Sequence, residues 1–280
     1  MSYRTIGTLR FSYGVCLAAA LALLVGCGGS GGGGDGDGGS GGNGNGGNGN
    51  GGSGAGAGGS GNGGAGAGST GSGFGACDNA PTFEGEGTYY AATGSGACSF
   101  DVSSDSPLLV GAMNAEDYAN SGVCGACAHL TGPNGEVTVR IVDLCPECVH
   151  GDIDLSPDAF ALLAPLEKGR IPISWQFVPC DGAGPIRYHF KEGSNQWWTA
   201  VQIRNHRNAI AKFEWKSDDG AWHEVQRLDY NYFVEDNGMG PGPYTIRVTD
   251  VYGSVLEDSG IPFLEAGDSP GQGQFPACGM

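Results

Sequence analysis

The stretch GGSGGGGDGDGG, from Gly28 onward, opens a run of glycine with serine, asparagine and alanine that lasts to about Gly75. Such a run has almost nothing apolar to bury, so it cannot recover the entropy of ordering a chain. Of 280 residues, 56 of them glycine, only those from Cys77 onward are left to build a core. By random-coil scaling the run is a flexible tether with a root-mean-square reach of about 35–40 Å.

What precedes the tether says what it is attached to. Residues 1–10 carry Arg4 and Arg10 and no acid, and residues 11–26, FSYGVCLAAALALLVG, are apolar but short for a membrane span. Positive charge, a short apolar run and then small residues make an export signal. Leu24, Val25 and Gly26 stand before Cys27 as in a bacterial lipoprotein signal. The expected order is therefore a signal peptide over 1–26, then a lipidated Cys27 and tether over 27–76. More than one acyl chain at Cys27 gives stable anchoring. The expected location is outside the cytosol, lipid-anchored at the cell surface on the outer membrane, or extracellular.

Apart from Arg4, Arg10, Asp35 and Asp37, every Lys, Arg, Asp and Glu lies from Cys77 on, so the net charge of −17 belongs to the folded part. That excess of acid argues against a nucleic-acid partner and against capture by anionic polymers.

Ten cysteines occur. Cys16 leaves with the signal and Cys27 is read as acylated, leaving an even set: Cys77, Cys98, Cys124, Cys127, Cys145, Cys148, Cys180 and Cys278. Cys124-x-x-Cys127 and Cys145-x-x-Cys148 resemble a zinc spacing. Export puts them in an oxidising compartment, where disulfides are the default and four thiolates are not. Spacing alone does not fix the pairing. A bridge between the CGAC and CPEC segments is the local expectation, with Cys77, Cys98, Cys180 and Cys278 supplying the rest.

Residues 77–180 read as strands with one or two short helices, a pattern suited to a small closed barrel. Val137, Val139 and Ile141 share one face of a strand that ends at Asp143, a partly buried carboxylate in need of hydrogen bonds. Ser156, Pro157 and Asp158 form a helix start, and Pro165 ends that helix. Ile171, Ile173, Trp175 and Phe177 alternate on one strand face. DGAGP, 181–185, is the natural joint. Residues 181–265 then hold short strands separated by turns, with SDDG as a hairpin signal, the pattern of a β-sandwich. Residues 266–280 are read as a C-terminal tail.

Asp143 and Asp154 are the leading chemical candidates, with Asp152 between them. Glycoside cleavage needs two carboxyl groups, one protonated and one ionised. The plainer reading is that Asp152 and Asp154 hydrogen-bond loop backbone. The second half offers five aromatic candidates for stacking on the C–H face of a sugar ring: Trp197, Trp198, Trp215, Trp222 and Tyr230. Strand parity puts Trp197 with Val201 and Ile203 on the core face. It puts Trp198 with Gln202 and Arg204 on the wet face. Trp215 and Trp222 read as core. His129, His150, His189, His206 and His223 show no metal-ligand spacing. No nucleophile pattern, phosphate loop or dinucleotide fingerprint occurs, so no cofactor and no metal are expected.

The stretches EGEGTYYAATGSG, VRIVDLCPECVHGDIDLSPDAF, RIPISWQFV, YHFKEGSNQWWTAVQIRNH, LDYNYFV and GQFP together resemble bacterial expansins across residues 77–280. The resemblance implies a mainly β fold. A six-stranded double-psi β-barrel is followed by an immunoglobulin-like β-sandwich of the family-63 carbohydrate-binding type. It implies loosening of cellulose-rich walls without hydrolysis. Thr88, Asp143 and Asp154 fall on groove residues of the barrel, with Tyr90 beside them. Asp154 matches the general acid of the related family-45 endoglucanases, whose second, basic Asp is replaced here by Ala91 and Ala92. Lys191, Trp197, Trp198 and Tyr230 fall on the sandwich's binding surface, against the parity argument for Trp197. Implied partners are cellulose or another β-glucan, xyloglucan or peptidoglycan, with a monomeric chain. The alternatives are a glycan-cleaving enzyme, either an endoglucanase or a lytic transglycosylase, and a pure cellulose-binding adhesion module. The chain departs from the family in having Cys145 where several members carry an aromatic, in its negative charge, and in its anchor and tether.

Overall fold

Trp175 organises the first half of the chain. It is 1% exposed, stacks on Phe83 at 4.3 Å between ring centres, and meets Phe177 edge-on. Its indole Nε1 donates to the Gly151 carbonyl at 2.7 Å, so burial leaves no orphan donor. The computed structural model describes Phe74, residues 79–182 and residues 184–277. The expected signal and the rest of the expected tether, with Cys16, Cys27, Cys77 and Cys278, lie outside the described residues; Phe74, expected within the tether, is instead buried in the barrel core and stacks on Phe177 at 4.2 Å between ring centres.

The elements around Trp175 are β1 (Phe83–Tyr89), β2 (Val110–Asn114), α1 (Ala115–Tyr118), β3 (Cys127–Gly132), β4 (Gly135–Cys145), β5 (Ile153–Leu155), α2 (Pro157–Leu163) and β6 (Ile171–Val178). The six strands close into a barrel in the order β1-β5-β2-β4-β3-β6. β1 pairs with β5, and β2 with β4, in parallel; the other pairs are antiparallel. This is the expected double-psi barrel. Its core takes Val137, Val139 and Ile141 from β4 and Ile171, Ile173, Trp175 and Phe177 from β6, as alternation predicts. α2 starts on Ser156, whose side chain accepts from the Ala159 N–H, with Pro157 next. β1 crosses the turn before β5 at backbone contact. A methyl group on Gly85 would stand 2.3 Å from the Gly151 oxygen, so glycine is required there.

The second half is a sandwich of two four-stranded sheets. Its strands are β7 (Arg187–Phe190), β8 (Thr199–Arg204), β9 (Ile210–Lys216), β10 (Trp222–Val225), β11 (Phe233–Glu235), β12 (Tyr244–Asp250), β13 (Val255–Ile261) and β14 (Asp268–Pro270). The sheets run β10-β9-β12-β13 and β11-β8-β7-β14 around Tyr188, Phe190, Phe213 and Phe275. Residues 266–277, expected as a tail, belong to this body: β14 pairs with β7, and Phe275 is fully buried. Three-residue strands give too short an alternation to be read from sequence.

The disulfide expectation fails in its pairing. Cys98 bonds Cys124, Cys127 bonds Cys180, and Cys145 bonds Cys148. No bridge joins CGAC to CPEC among the described residues. Cys127 opens β3 and pairs in register with Val178 at the end of β6, which brings it to Cys180. Each CxxC therefore divides or closes on itself according to the strands that flank it.

Barrel and sandwich belong to one compact unit. Tyr118 Oη donates to the Asp229 carbonyl at 3.1 Å, and Ser121 Oγ to the Leu228 carbonyl at 2.7 Å. In return Gln202 Nε2 and Asn231 Nδ2 donate to the Cys98 carbonyl at 2.9 and 3.2 Å. Gln202, expected on a wet face, is buried here because the barrel covers that part of the sheet.

Candidate functional site

Register alone builds the barrel site. Thr88 on β1 pairs with Asp154 on β5, Asp154 with Ala112 on β2, and Ala112 with Asp143 on β4. Four neighbouring strands thus set Thr88, Asp154, Ala112 and Asp143 in one row. Two strand spacings separate the acids, about 9–10 Å between their Cα atoms. Ala112, a buried small side chain, stands between them and puts no bulky group in the row. A bulge puts Asp143 in that row: Gly111 faces Ile141 and Ala112 faces Asp143, so Val142 is the extra residue.

The two acids have different surroundings. Asp143 Oδ1 accepts from the N–H groups of Ala97 at 2.7 Å and Leu144 at 2.9 Å. It holds down the loop after β1, and Gly96 leaves room for it, since a methyl there would lie 2.2 Å from its carboxyl carbon. Asp154 binds no backbone in this way. It accepts from Thr88 Oγ1 at 2.6 Å. Burial pushes its pKa above the ordinary 3.8; the Thr88 hydrogen bond opposes that, while the negative charges of Glu147 and Asp143 reinforce it. Asp152 fills the plainer role expected of it, accepting from the Glu86 N–H at 2.8 Å.

Tyr90 follows β1 with the parity of Thr88. Its hydroxyl is buried and leans toward the Asp143 carboxylate, short of a well-formed hydrogen bond. Burial, then the charge of Asp143 and the interaction of the hydroxyl with it, and more weakly the charge of Asp154, raises its pKa, so it stays a neutral donor. A buried, poorly satisfied hydroxyl beside two carboxyl groups is the kind of group a polyhydroxylated ligand engages. Sequence reasoning passed over Glu147. The Cys145–Cys148 bond closes a four-residue ring that presents it, and the CPEC spacing was the available signal.

The sandwich residues are placed by a turn. Trp197 and Trp198 precede β8 in a tight reversal, where the Asn195 N–H donates to the Trp198 carbonyl at 2.7 Å and the Trp197 N–H to Asn195 Oδ1 at 2.9 Å. Strand parity therefore does not apply, and Trp197 is 71% exposed rather than core. The loop after β11 braces the turn: the Gly240 N–H donates to the Gln196 carbonyl at 3.1 Å. Lys191 follows β7, its N–H bonded to the Ala200 carbonyl at 3.0 Å. Tyr230 lies at the barrel end of the same sheet, 5.8 Å from the Tyr232 ring. Its neighbour Asp229 takes the bond from Tyr118 of the barrel. Trp215 and Trp222 do not share a role: Trp215 packs against the core, whereas Trp222 lies outside under the Arg247 guanidinium at 4.2 Å.

Among the described residues no group of three or more His, Cys, Asp and Glu side chains is placed to hold a metal ion. The cysteines of the zinc-like spacing are all in disulfides.

Comparison with known proteins follows these two surfaces. A family model described as "Lytic transglycolase" matches residues 77–175. Expansin-YoaJ of Bacillus subtilis is 38% identical over 203 residues, covering 69% of this chain and 86% of its own. Expansin-like protein 3 of Dictyostelium discoideum is 28% identical over 191 residues, 64% of this chain and 56% of its own. A solved mutant expansin of Clavibacter michiganensis in complex with cellohexaose is 30% identical with a TM-score of 0.66, covering 70% of this chain and 100% of its own.

Proposed function

The chain belongs to the expansin family, and from that premise we propose that it binds cellulose or a related β-glucan and loosens contacts between glucan chains without cutting them. The supporting observation is the inequality of the two acids in the barrel row. Burial raises the Asp154 pKa, which favours the form that can donate to a glycosidic or hydroxyl oxygen. Asp143 is committed to two backbone N–H groups. Ala91 and Ala92 stand where the related hydrolases carry a base. Inverting hydrolysis needs both an acid and a base across the bond, so the row suits gripping a glucan better than cleaving it.

Lys191, Trp197, Trp198 and Tyr230 extend the grip onto the sandwich. Tyr230, next to the barrel contact at Asp229, links the two surfaces. Ring faces bind pyranose C–H faces by apolar burial, at roughly 25 cal/mol per Å². A net charge of −17 gives the surface as a whole no general attraction to acidic wall polymers. Export and anchoring through Cys27 place this activity at the cell surface.

The test is extension or weakening of a cellulose network, run beside an assay for new reducing ends. Weakening without reducing ends is expected. The family model's description and the carboxylate of Glu147 favour one second reading, in which Asp154 alone, or with Glu147 as base, cleaves peptidoglycan or glucan. Reducing ends or anhydro-muropeptides that disappear in Glu147→Gln or Asp154→Asn would establish that reading instead. Replacing exposed Trp197 and half-buried Trp198 by Ala is expected to weaken cellulose pull-down by about tenfold or more, as for aromatic anchors; an unchanged pull-down removes the binding surface from the proposal.

A further inference from the structure

A cleft of about 580 Å³ opens between barrel and sandwich, apart from the Thr88–Asp154 row. The loop that covers Asp143 also lines it through Gly94, so groove and cleft share a wall. We propose that this cleft is a second ligand site, which takes a hexuronate through the guanidinium groups of Arg140 and Arg187. The inference rests on reading the chain as a binder of wall polysaccharides.

The charges in the cleft are unevenly satisfied. Arg204 meets Asp101 at 2.7 Å and Asp268 at 3.6 Å, and Asp268 is also bonded to His189 Nδ1 at 2.6 Å. Those two acids are therefore spoken for. Arg187 approaches Asp268 only to 3.8 Å, beyond a hydrogen bond. Arg140 projects from β4 with one hydrogen bond, from Nη1 to the Gly125 carbonyl at 3.2 Å. Among the described residues no carboxylate lies within ion-pair distance of it. Burial lowers its pKa, and Asp105, at longer range, opposes this. A guanidinium has five donors, and an incompletely paired charge out of water is costly. Its fork matches a carboxylate in two parallel bonds.

The rest of the cleft suits a sugar ring rather than a bare anion. Phe100 offers an apolar face for ring C–H groups, and Ser103 and Asp105 offer acceptors for hydroxyls. The volume lies in the range of small-molecule sites. An acidic sugar carried as a branch on a neutral glucan fits this chemistry, and the acidic surface elsewhere would not retain it.

Calorimetric titration of the mature chain with sodium glucuronate tests the proposal, with glucose and sodium acetate as separate arms. Saturable glucuronate binding is expected, at least tenfold tighter than either control. Arg187→Gln, at an exposed position, should weaken it at least tenfold while leaving cellulose pull-down unchanged; Arg140→Gln should do the same if it folds. Glucuronate binding no tighter than acetate or glucose, or untouched by Arg187→Gln, overturns the proposal. Failure of wild-type cellulose pull-down with glucuronate binding intact would instead count against the glucan reading and leave the cleft standing.

Discussion

Asp154 is where a single proton links stability to the proposed action. Its folded pKa is raised, so above 3.8 the native state keeps a proton that the unfolded chain has released. Stability from this site is therefore present at low pH and lost as pH rises through the raised value. Asp154→Asn removes that loss. Its melting temperature relative to wild type should increase from pH 3 to pH 7, and a constant difference would contradict the assignment. Thr88→Val removes the hydrogen bond that favours the ionised form. The Asp154 carboxyl should then titrate at higher pH by carbon-detected NMR, and a downward move would show that the Thr88 bond does not stabilise the carboxylate.

At the scale of elements, the barrel rests on Trp175 and on disulfides of very different span. Trp175→Ala removes a fully buried ring and leaves the Gly151 carbonyl unpaired, so a loss of about 3–5 kcal/mol is expected in denaturant unfolding. Cys127–Cys180 spans 53 residues and Cys145–Cys148 spans 3. Loop-closure entropy gives about 4 kcal/mol for the first and about 1.5 kcal/mol for the second. Replacing each pair by Ala should reproduce that order in unfolding free energy; equal losses would show that the short ring does more than shape the wall near Asp154. The long alternations of β4 and β6 and the capped start of α2 were legible in the sequence, because period and cap chemistry are local. The cysteine pairing was not, because it depends on which strands become neighbours. The exposure of Trp197 followed from the resemblance but not from strand parity, since a turn at Asn195 breaks the alternation that a strand would impose. Asp143 was legible as a strand-end acid, but the bulge that aligns it with Asp154 is a property of two strands together. Glu147 needed the ring closed before it had a place.

Across the whole molecule the two halves meet through carbonyls that each receive side chains from the other. The Cys98 oxygen takes both Gln202 and Asn231. Replacing both by Ala leaves that carbonyl without them, at a cost of about 1–3 kcal/mol, and should broaden or split a single calorimetric transition. One sharp transition in the double variant would mean that the remaining contacts couple the halves unaided. Such a junction matters for the proposed loosening, because a glucan held by Trp197, Trp198 and Tyr230 must be presented to Asp154 on the other half. The decisive measurement is wall extension by wild type and Asp154→Asn at equal cellulose occupancy, with soluble and insoluble reducing ends counted in the same samples. Extension by wild type, loss of most of it in Asp154→Asn, and no new reducing ends in either is the predicted result. Extension that persists in Asp154→Asn, or that rises in step with reducing ends, would contradict it.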